Sequence, residues 1–349
     1  MKKVKRLLAV LLSMVFVFAL TACGGDKKAA DGELPEKINI GVQQMPNDDT
    51  IAKSQGIFDK YFTDQGIEVN YVSFDSGADV NTALASGDID FGLMGTSPAA
   101  IALSLGIDCE MIWIHEVLGD IESLAVKTDA GIKSLEDLKG KKVAVPVGST
   151  AHYSLLNALS GAGIEADVEI LDMQPTDIVA AWSRGDIEAA YVWQPQLQNL
   201  LDDGGEILIS SEDMAAEGCV TANVEVVSKK FSEAYPDLVV DYIKACSEAA
   251  DMYRSNPDEA AEIVAEALEI DVENAKTQME GSIWLTLDEM TSADYFGTAE
   301  EPGKLATIMK ETADFLQEQK SIEEAPDQEA YNAYVNGSYI EQAKAELAE

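Results

Sequence analysis

From residue 37 to about 227, short apolar runs alternate with segments whose apolar positions recur at helical spacing. The pattern predicts strands over 37–43, 69–74, 89–93, 110–114 and 123–126, with helices over 50–63, 78–86 and 97–105. The alternation then restarts, with strands over 142–146, 168–171 and 188–193 and helices over 150–159, 177–183 and 196–201. Alternation of this kind predicts α/β layers with a largely parallel sheet in each half. From residue 228 onward the spacing is mostly helical, notably over 238–253, 257–267 and 304–319.

An internal echo joins the two halves. Ala83-Leu84-Ala85-Ser86-Gly87-Asp88-Ile89 ends a helix, turns and enters a strand, and Ala181-Trp182-Ser183-Arg184-Gly185-Asp186-Ile187 does the same. After each following strand comes a proline, Pro98 or Pro195. Two lobes of like construction would produce such an echo. So would chance similarity of two helix–turn–strand units.

The N-terminus follows another logic. Lys2, Lys3, Lys5 and Arg6 precede an apolar run from Leu7 to Leu20, which ends in Thr21-Ala22-Cys23. That order is the order of an export signal. The run is shorter than the roughly 20 residues of a membrane-spanning helix. Leu20-Thr21-Ala22-Cys23 resembles the bacterial lipobox. The resemblance implies a signal peptide over 1–22, removed before Cys23, and lipid on Cys23. Residues 23–36 begin with Gly24-Gly25-Asp26-Lys27-Lys28 after the cysteine and read as a flexible tether.

Composition narrows the classes. At 47% hydrophobic, the chain can build cores. Its formal charge of −39 excludes a nucleic-acid partner, which needs a basic surface. It also requires that any anion site be built locally, from oriented backbone and neutral donors. Besides Cys23 there are Cys109, Cys219 and Cys246, read as buried thiols with at most one disulfide among them. His115 and His152 are the only histidines. Their spacing gives no metal site, and ordinary packing or a place at a pocket edge is expected. No nucleophilic triad, nucleotide loop or zinc motif occurs, so neither a cofactor nor catalytic residues are expected. Met45-Pro46-Asn47-Asp48-Asp49 reads as an acidic loop with Asp49 capping the next helix.

In open α/β sheets, ligands sit beyond the carboxyl ends of the strands, where helix N-termini offer free N–H groups. Three stretches meet that description: Gly95-Thr96-Ser97-Pro98, Gly148-Ser149-Thr150-Ala151-His152-Tyr153 and Tyr191-Val192-Trp193-Gln194-Pro195. Ser97 is expected as a helix cap with Pro98 at the first helical position.

These stretches also carry a resemblance. Phe74-Asp75-Ser76-Gly77-Ala78, Ala85-Ser86-Gly87-Asp88, Gly95-Thr96-Ser97-Pro98, Val145-Pro146, His152-Tyr153-Ser154-Leu155-Leu156 and Tyr191-Val192-Trp193 resemble the taurine-binding members of the nitrate/sulfonate/taurine group of transporter solute receptors. The likeness runs from about residue 38 to 253. It implies a type II periplasmic-binding-protein fold: two α/β lobes joined by a two-strand hinge, with a helical C-terminal segment packed on lobe one. Lobe one would comprise 37–124 and 228–349, and lobe two 125–227. It also implies an ABC permease with a cytoplasmic ATPase as partner.

A sulfonate offers three acceptor oxygens and no proton, which suits Gln43, Gly77, Thr96, Ser97, Ser149, Thr150 and His152. The ammonium of taurine calls for an aromatic face or a carboxylate, which Trp193 and Glu122 supply. The relatives carry Thr-Leu-Asp-Val-Trp-Val-Val on the strand that returns to lobe one. Here it is Thr221-Ala222-Asn223-Val224-Glu225-Val226-Val227. Three readings follow for Asn223 and Glu225: Glu225 replaces the missing charge, the ligand lacks an amine, or the amine meets Glu122 alone. The expected protein is a monomeric, lipid-anchored, extracytoplasmic receptor for taurine or a related organosulfonate, without chemistry of its own. The alternatives are a receptor for an alkanesulfonate, nitrate or bicarbonate, an exported sensor, and an enzyme like the thiamine-precursor synthases.

Overall fold

The structure is a computed structural model and describes residues 34–348. The expected signal segment, Cys23 and most of the expected tether lie outside the described residues. In chain order the first lobe contributes β1 (Lys37–Gln43), α1 (Asp48–Ser54), α2 (Ile57–Phe62), β2 (Glu68–Phe74), α3 (Gly77–Ser86), β3 (Phe91–Gly95), α4 (Thr96–Ser104) and β4 (Cys109–Leu118). The second contributes β5 (Glu122–Lys127), β6 (Lys142–Val145), α5 (Thr150–Gly161), β7 (Glu169–Asp172), α6 (Pro175–Arg184), β8 (Ala189–Trp193), α7 (Gln196–Asp202), β9 (Gly205–Ser210) and α8 (Ser211–Ala216). The chain returns through β10 (Ala222–Ser228) and continues as α9 (Lys229–Ala234), α10 (Pro236–Ser255), α11 (Pro257–Leu268), α12 (Val272–Glu280), β11 (Ser282–Ile283), α13 (Leu287–Met290), α14 (Lys304–Glu318), α15 (Gln328–Tyr334) and α16 (Ser338–Leu347).

Two sheets result, in the orders β11-β4-β10-β3-β1-β2 and β7-β6-β8-β5-β9. Each holds a parallel trio, β2-β1-β3 or β7-β6-β8, with an antiparallel strand from the crossing region beside it. The sheets are therefore more mixed than the alternation alone predicts. β5 pairs only in the second sheet and β10 only in the first. The chain thus crosses near 119–121 and again near 217–221, a few residues before each expected boundary.

The echo is physical. Gly87 and Gly185 end α3 and α6 in the same left-handed conformation, at φ 77° and 75°. Each N–H closes on the last turn, a geometry that glycine adopts without Cβ strain. The strands that follow, β3 and β8, are five-residue apolar runs buried throughout, as strands covered on both faces must be.

One expected helix is two. Gly56, at φ +64°, divides α1 from α2. The cap of α1 is Asn47, which accepts from the Thr50 N–H at 3.3 Å, and Asp49 lies inside the first turn. Cys109, Cys219 and Cys246 are buried free thiols. Each lobe has its own core, but Met45 and Leu93 of lobe one pack into the cluster of lobe two. The C-terminal helices complete the core of lobe one.

Candidate ligand-binding cleft

α4 springs from the end of β3 and α5 from the loop after β6, one in each lobe. They meet end to end. The cap of α4 is Gly95, not Ser97; Thr96 opens the helix, and Ser97 lies in its first turn. A Cβ built on Gly95 would stand 2.6 Å from Thr150 Cγ2 across the seam. Thr150 cannot rotate away cheaply, because its hydroxyl donates to Glu122 Oε2 at 2.6 Å. Gly95→Ala is therefore expected to wedge the lobes apart. Ligand affinity should fall about tenfold while the melting temperature of the unliganded protein changes little, and Thr150→Ser in the same chain should restore binding. Calorimetric titration of both variants checks this.

The expected residues gather unevenly. Ser97 is fully buried, and its hydroxyl has no hydrogen-bond partner among the described residues. Thr96 Oγ1 accepts from the Ala222 N–H at 3.4 Å and so ties α4 to the returning strand. Gly77 opens α3, where a Cβ would strike Pro98 at 2.5 Å; its role is close packing of α3 on α4. Gln43 donates to the Leu93 carbonyl at 2.9 Å and bridges β1 to β3.

In lobe two, Ser149 caps α5 by accepting from the His152 N–H at 3.1 Å. His152 Nδ1 accepts from the Gly148 N–H at 3.3 Å, and burial pulls this imidazole down to about 4, so it is neutral. Glu122 lies at the start of α5. Its carboxylate accepts from Thr150, from Ser211 at 2.8 Å and from the Ala151 N–H. Burial pushes it up to about 7 against those bonds. Both oxygens are engaged, so in this arrangement Glu122 satisfies the helix terminus itself. Trp193 ends β8 directly opposite Glu122.

Asn223 and Glu225 part company. Asn223 lies beside Gly95 in the sheet, and its amide donates to Glu116 Oε1 at 2.6 Å and approaches Met45 Sδ at 3.3 Å. Glu225 lies two residues deeper, within 3.0 Å of His115 Nε2. The other ring nitrogen, Nδ1, is 2.6 Å from Asp48 Oδ1, and the Trp113 indole donates to Asp48 Oδ2 at 2.8 Å. A ring with carboxylates at both nitrogens is an imidazolium. Burial alone would pull His115 down, but the charges and hydrogen bonds of Asp48 and Glu225 outweigh it and hold the ring well above its ordinary value. Asp48, His115 and Cys246 lie close enough to hold a metal ion, yet the Asp48 oxygens and both ring nitrogens already have partners.

Sequence reasoning misses Asp48 and Glu116 and leaves His115 to packing. His115 and Glu116 stand at a bulge of β4, and Asp48 opens α1. The one available signal is the acidic pair Asp48-Asp49 at the first helix start after β1.

The NMT1/THI5-like family model matches residues 51–260. The taurine-binding periplasmic protein of Escherichia coli is 35% identical over 87% of this chain and 92% of its own length. The chain belongs to the NMT1/THI5-like family. A putative aliphatic sulfonates-binding protein of Bacillus subtilis is 31% identical over 98% of both chains. The alkanesulfonate-binding protein SsuA from Xanthomonas axonopodis pv. citri, solved bound to MOPS, shares the fold with a TM-score of 0.72 at 20% identity, covering 89% of this chain and 99% of its own. The span matched by the NMT1/THI5-like model holds both crossings and, of the candidate cleft residues, all but Gln43, Met45 and Asp48.

Proposed function

We propose that the chain is the extracytoplasmic solute receptor of an ABC importer and captures a small organosulfonate, taurine among them, between its lobes. A lipid on Cys23 would hold it at the membrane beside the permease and its ATPase. One observation carries the reading. Two helix N-termini, one per lobe, abut at Gly95 and Thr150, with the unpartnered Ser97 hydroxyl in the first turn of α4. Helix N-termini favour a compact anion, and a hydroxyl buried without a partner is a donor in waiting.

Micromolar binding needs about 8 kcal/mol. At about 1.5–3 kcal/mol for each charge-assisted hydrogen bond, about four suffice. The seam residues are buried, so the lobes must part about the two crossings to admit a ligand and close to retain it. Titrating the full chain with taurine, ethanesulfonate, nitrate and bicarbonate tests the proposal. Micromolar binding of a sulfonate with weaker binding of nitrate and bicarbonate is expected. No binding of either sulfonate would overturn it.

A further inference from the structure

β4 is not a regular strand. Its pairing with β10 runs Asn223–Glu116, Val224–Ile114, Glu225–Trp113 and Val226–Met111, so His115 and Ile112 are each bulged out. In regular alternation, residues 113 and 116 would face opposite sides of the sheet. The bulge at His115 brings Glu116 onto the face that Trp113 and Glu225 share, an established use of bulges near binding sites. The consequence is visible in contacts. Glu116 Oε1 receives the Asn223 amide at 2.6 Å, and Asn223 in turn touches Met45, which packs into the core of lobe two. Glu116 is thus a lobe-one carboxylate placed at the seam.

It is also unfinished. Glu116 is fully buried, and its Oε2 has no close hydrogen-bond partner among the described residues; the Asn47 amide, whose Nδ2 is also unpartnered, is the one neutral donor besides Asn223 near enough to stabilise the carboxylate. Its neighbour His115 is already shared between Asp48 and Glu225. Burial pushes Glu116 up to about 7; His115, the Asn223 bond and the Asn47 amide oppose that rise, and Asp48 adds to it. A buried carboxylate with an open lone pair and surplus negative charge around it is matched by a cationic donor.

The spacing fixes which cation. Gly95, Asn223 and Glu116 lie in line across β3, β10 and β4. Two interstrand steps, about 10 Å, therefore separate the backbone at the start of α4 from that at Glu116. With the Glu116 side chain reaching back toward Asn223, that span suits an anion at α4 joined by a short spacer to an ammonium at Glu116.

We infer that Glu116 Oε2, presented by the β4 bulge beside Asn223, receives the ammonium of an aminosulfonate whose sulfonate lies at the N-terminus of α4. The inference rests on the sulfonate reading above. It makes Glu116 the residue that separates aminosulfonates from plain alkanesulfonates. Glu122, with both oxygens engaged at α5, does not perform that separation.

The test is calorimetric titration of the full chain with taurine and with ethanesulfonate, which lacks only the amine. The unaltered chain is expected to prefer taurine by about tenfold or more. Glu116→Gln, which keeps an acceptor for Asn223 but removes the charge, should erase most of that preference by weakening taurine alone. Glu116→Asp should retain part of it. Equal affinity of the unaltered chain for both compounds overturns the inference without any variant, and so does a preference that survives in Glu116→Gln. Either result leaves sulfonate binding standing. Binding of neither compound by the unaltered chain would remove the sulfonate reading and the inference together.

Discussion

Replacing His115 with alanine is expected to destabilise the fold by about 3–5 kcal/mol, the range for breaking a buried ion pair by removing one partner. The imidazolium stands between Asp48 Oδ1 at 2.6 Å and Glu225 Oε2 at 3.0 Å, and all three side chains are shielded from solvent. Without it, two carboxylates remain in the interior with Asp49 and Glu116 close by, and the nearest positive charge is gone. Among the described residues the Trp113 bond to Asp48 persists, and the Tyr242 hydroxyl stays beside Glu225, but neither is a charge. The measurement is urea unfolding of the full chain, with the midpoint lowered and the denaturant slope unchanged. Adding Asp48→Asn and Glu225→Gln to the variant should recover much of the loss, because neutral amides remove the stranded charges. A loss below about 1 kcal/mol in the single variant would show that the carboxylates simply take up protons and that the clasp contributes little.

Stability should also rise as the medium becomes mildly acidic. Burial raises Asp49 to about 6 and Glu116, Glu122 and Glu225 each to about 7 in the folded protein, above their unfolded values of 3.8 and 4.5. Between about pH 4.5 and 7 the folded chain therefore binds more protons than the unfolded one, and stability falls as pH rises. His115 acts in the same sense. Its raised folded value gives a contribution that is complete below 6.5 and is lost as pH climbs through that higher value. A tenfold difference in proton affinity between the folded and unfolded states corresponds to about 1.4 kcal/mol, so several buried groups together should move the melting temperature by many degrees. The net charge of −39 adds self-repulsion that relaxes in acid. Scanning calorimetry from pH 5 to 8 at constant ionic strength should show the highest melting temperature near pH 5. A flat profile, or one that climbs toward pH 8, contradicts the picture. Glu122→Gln, whose carboxylate is remote from the His115 clasp, should remove one share of the slope and leave the rest.

Much of the architecture is legible in the sequence because it depends on local signals. Gly87 and Gly185 announce identical helix ends, and the apolar runs of β3 and β8 announce strands covered on both sides. Thr96, Ser97, Ser149 and Thr150 are legible as helix starts after strands. What escapes depends on register. Nothing local distinguishes a bulged residue from a regular one, so the side on which Glu116 emerges follows only from its pairing with Asn223. The same holds for Glu225. Its two-residue spacing from Asn223 does give a shared face, but which of the two reaches the seam depends on how far β10 extends beside β3. Nor does sequence show that Thr150 and Ser211, from opposite ends of lobe two's chain, close on one carboxylate.

The strand order also sets a timetable. β10 lies between β3 and β4, so the first sheet cannot join its two parts until residue 228 has been synthesised, well past the middle of the chain. The second sheet needs nothing beyond β9. Its contacts are also the more local, and local contacts form sooner. A chain emerging from its N-terminus would therefore complete the later lobe first. The opening segment, which carries most of the acid cluster, would wait in two unjoined pieces for its central strand.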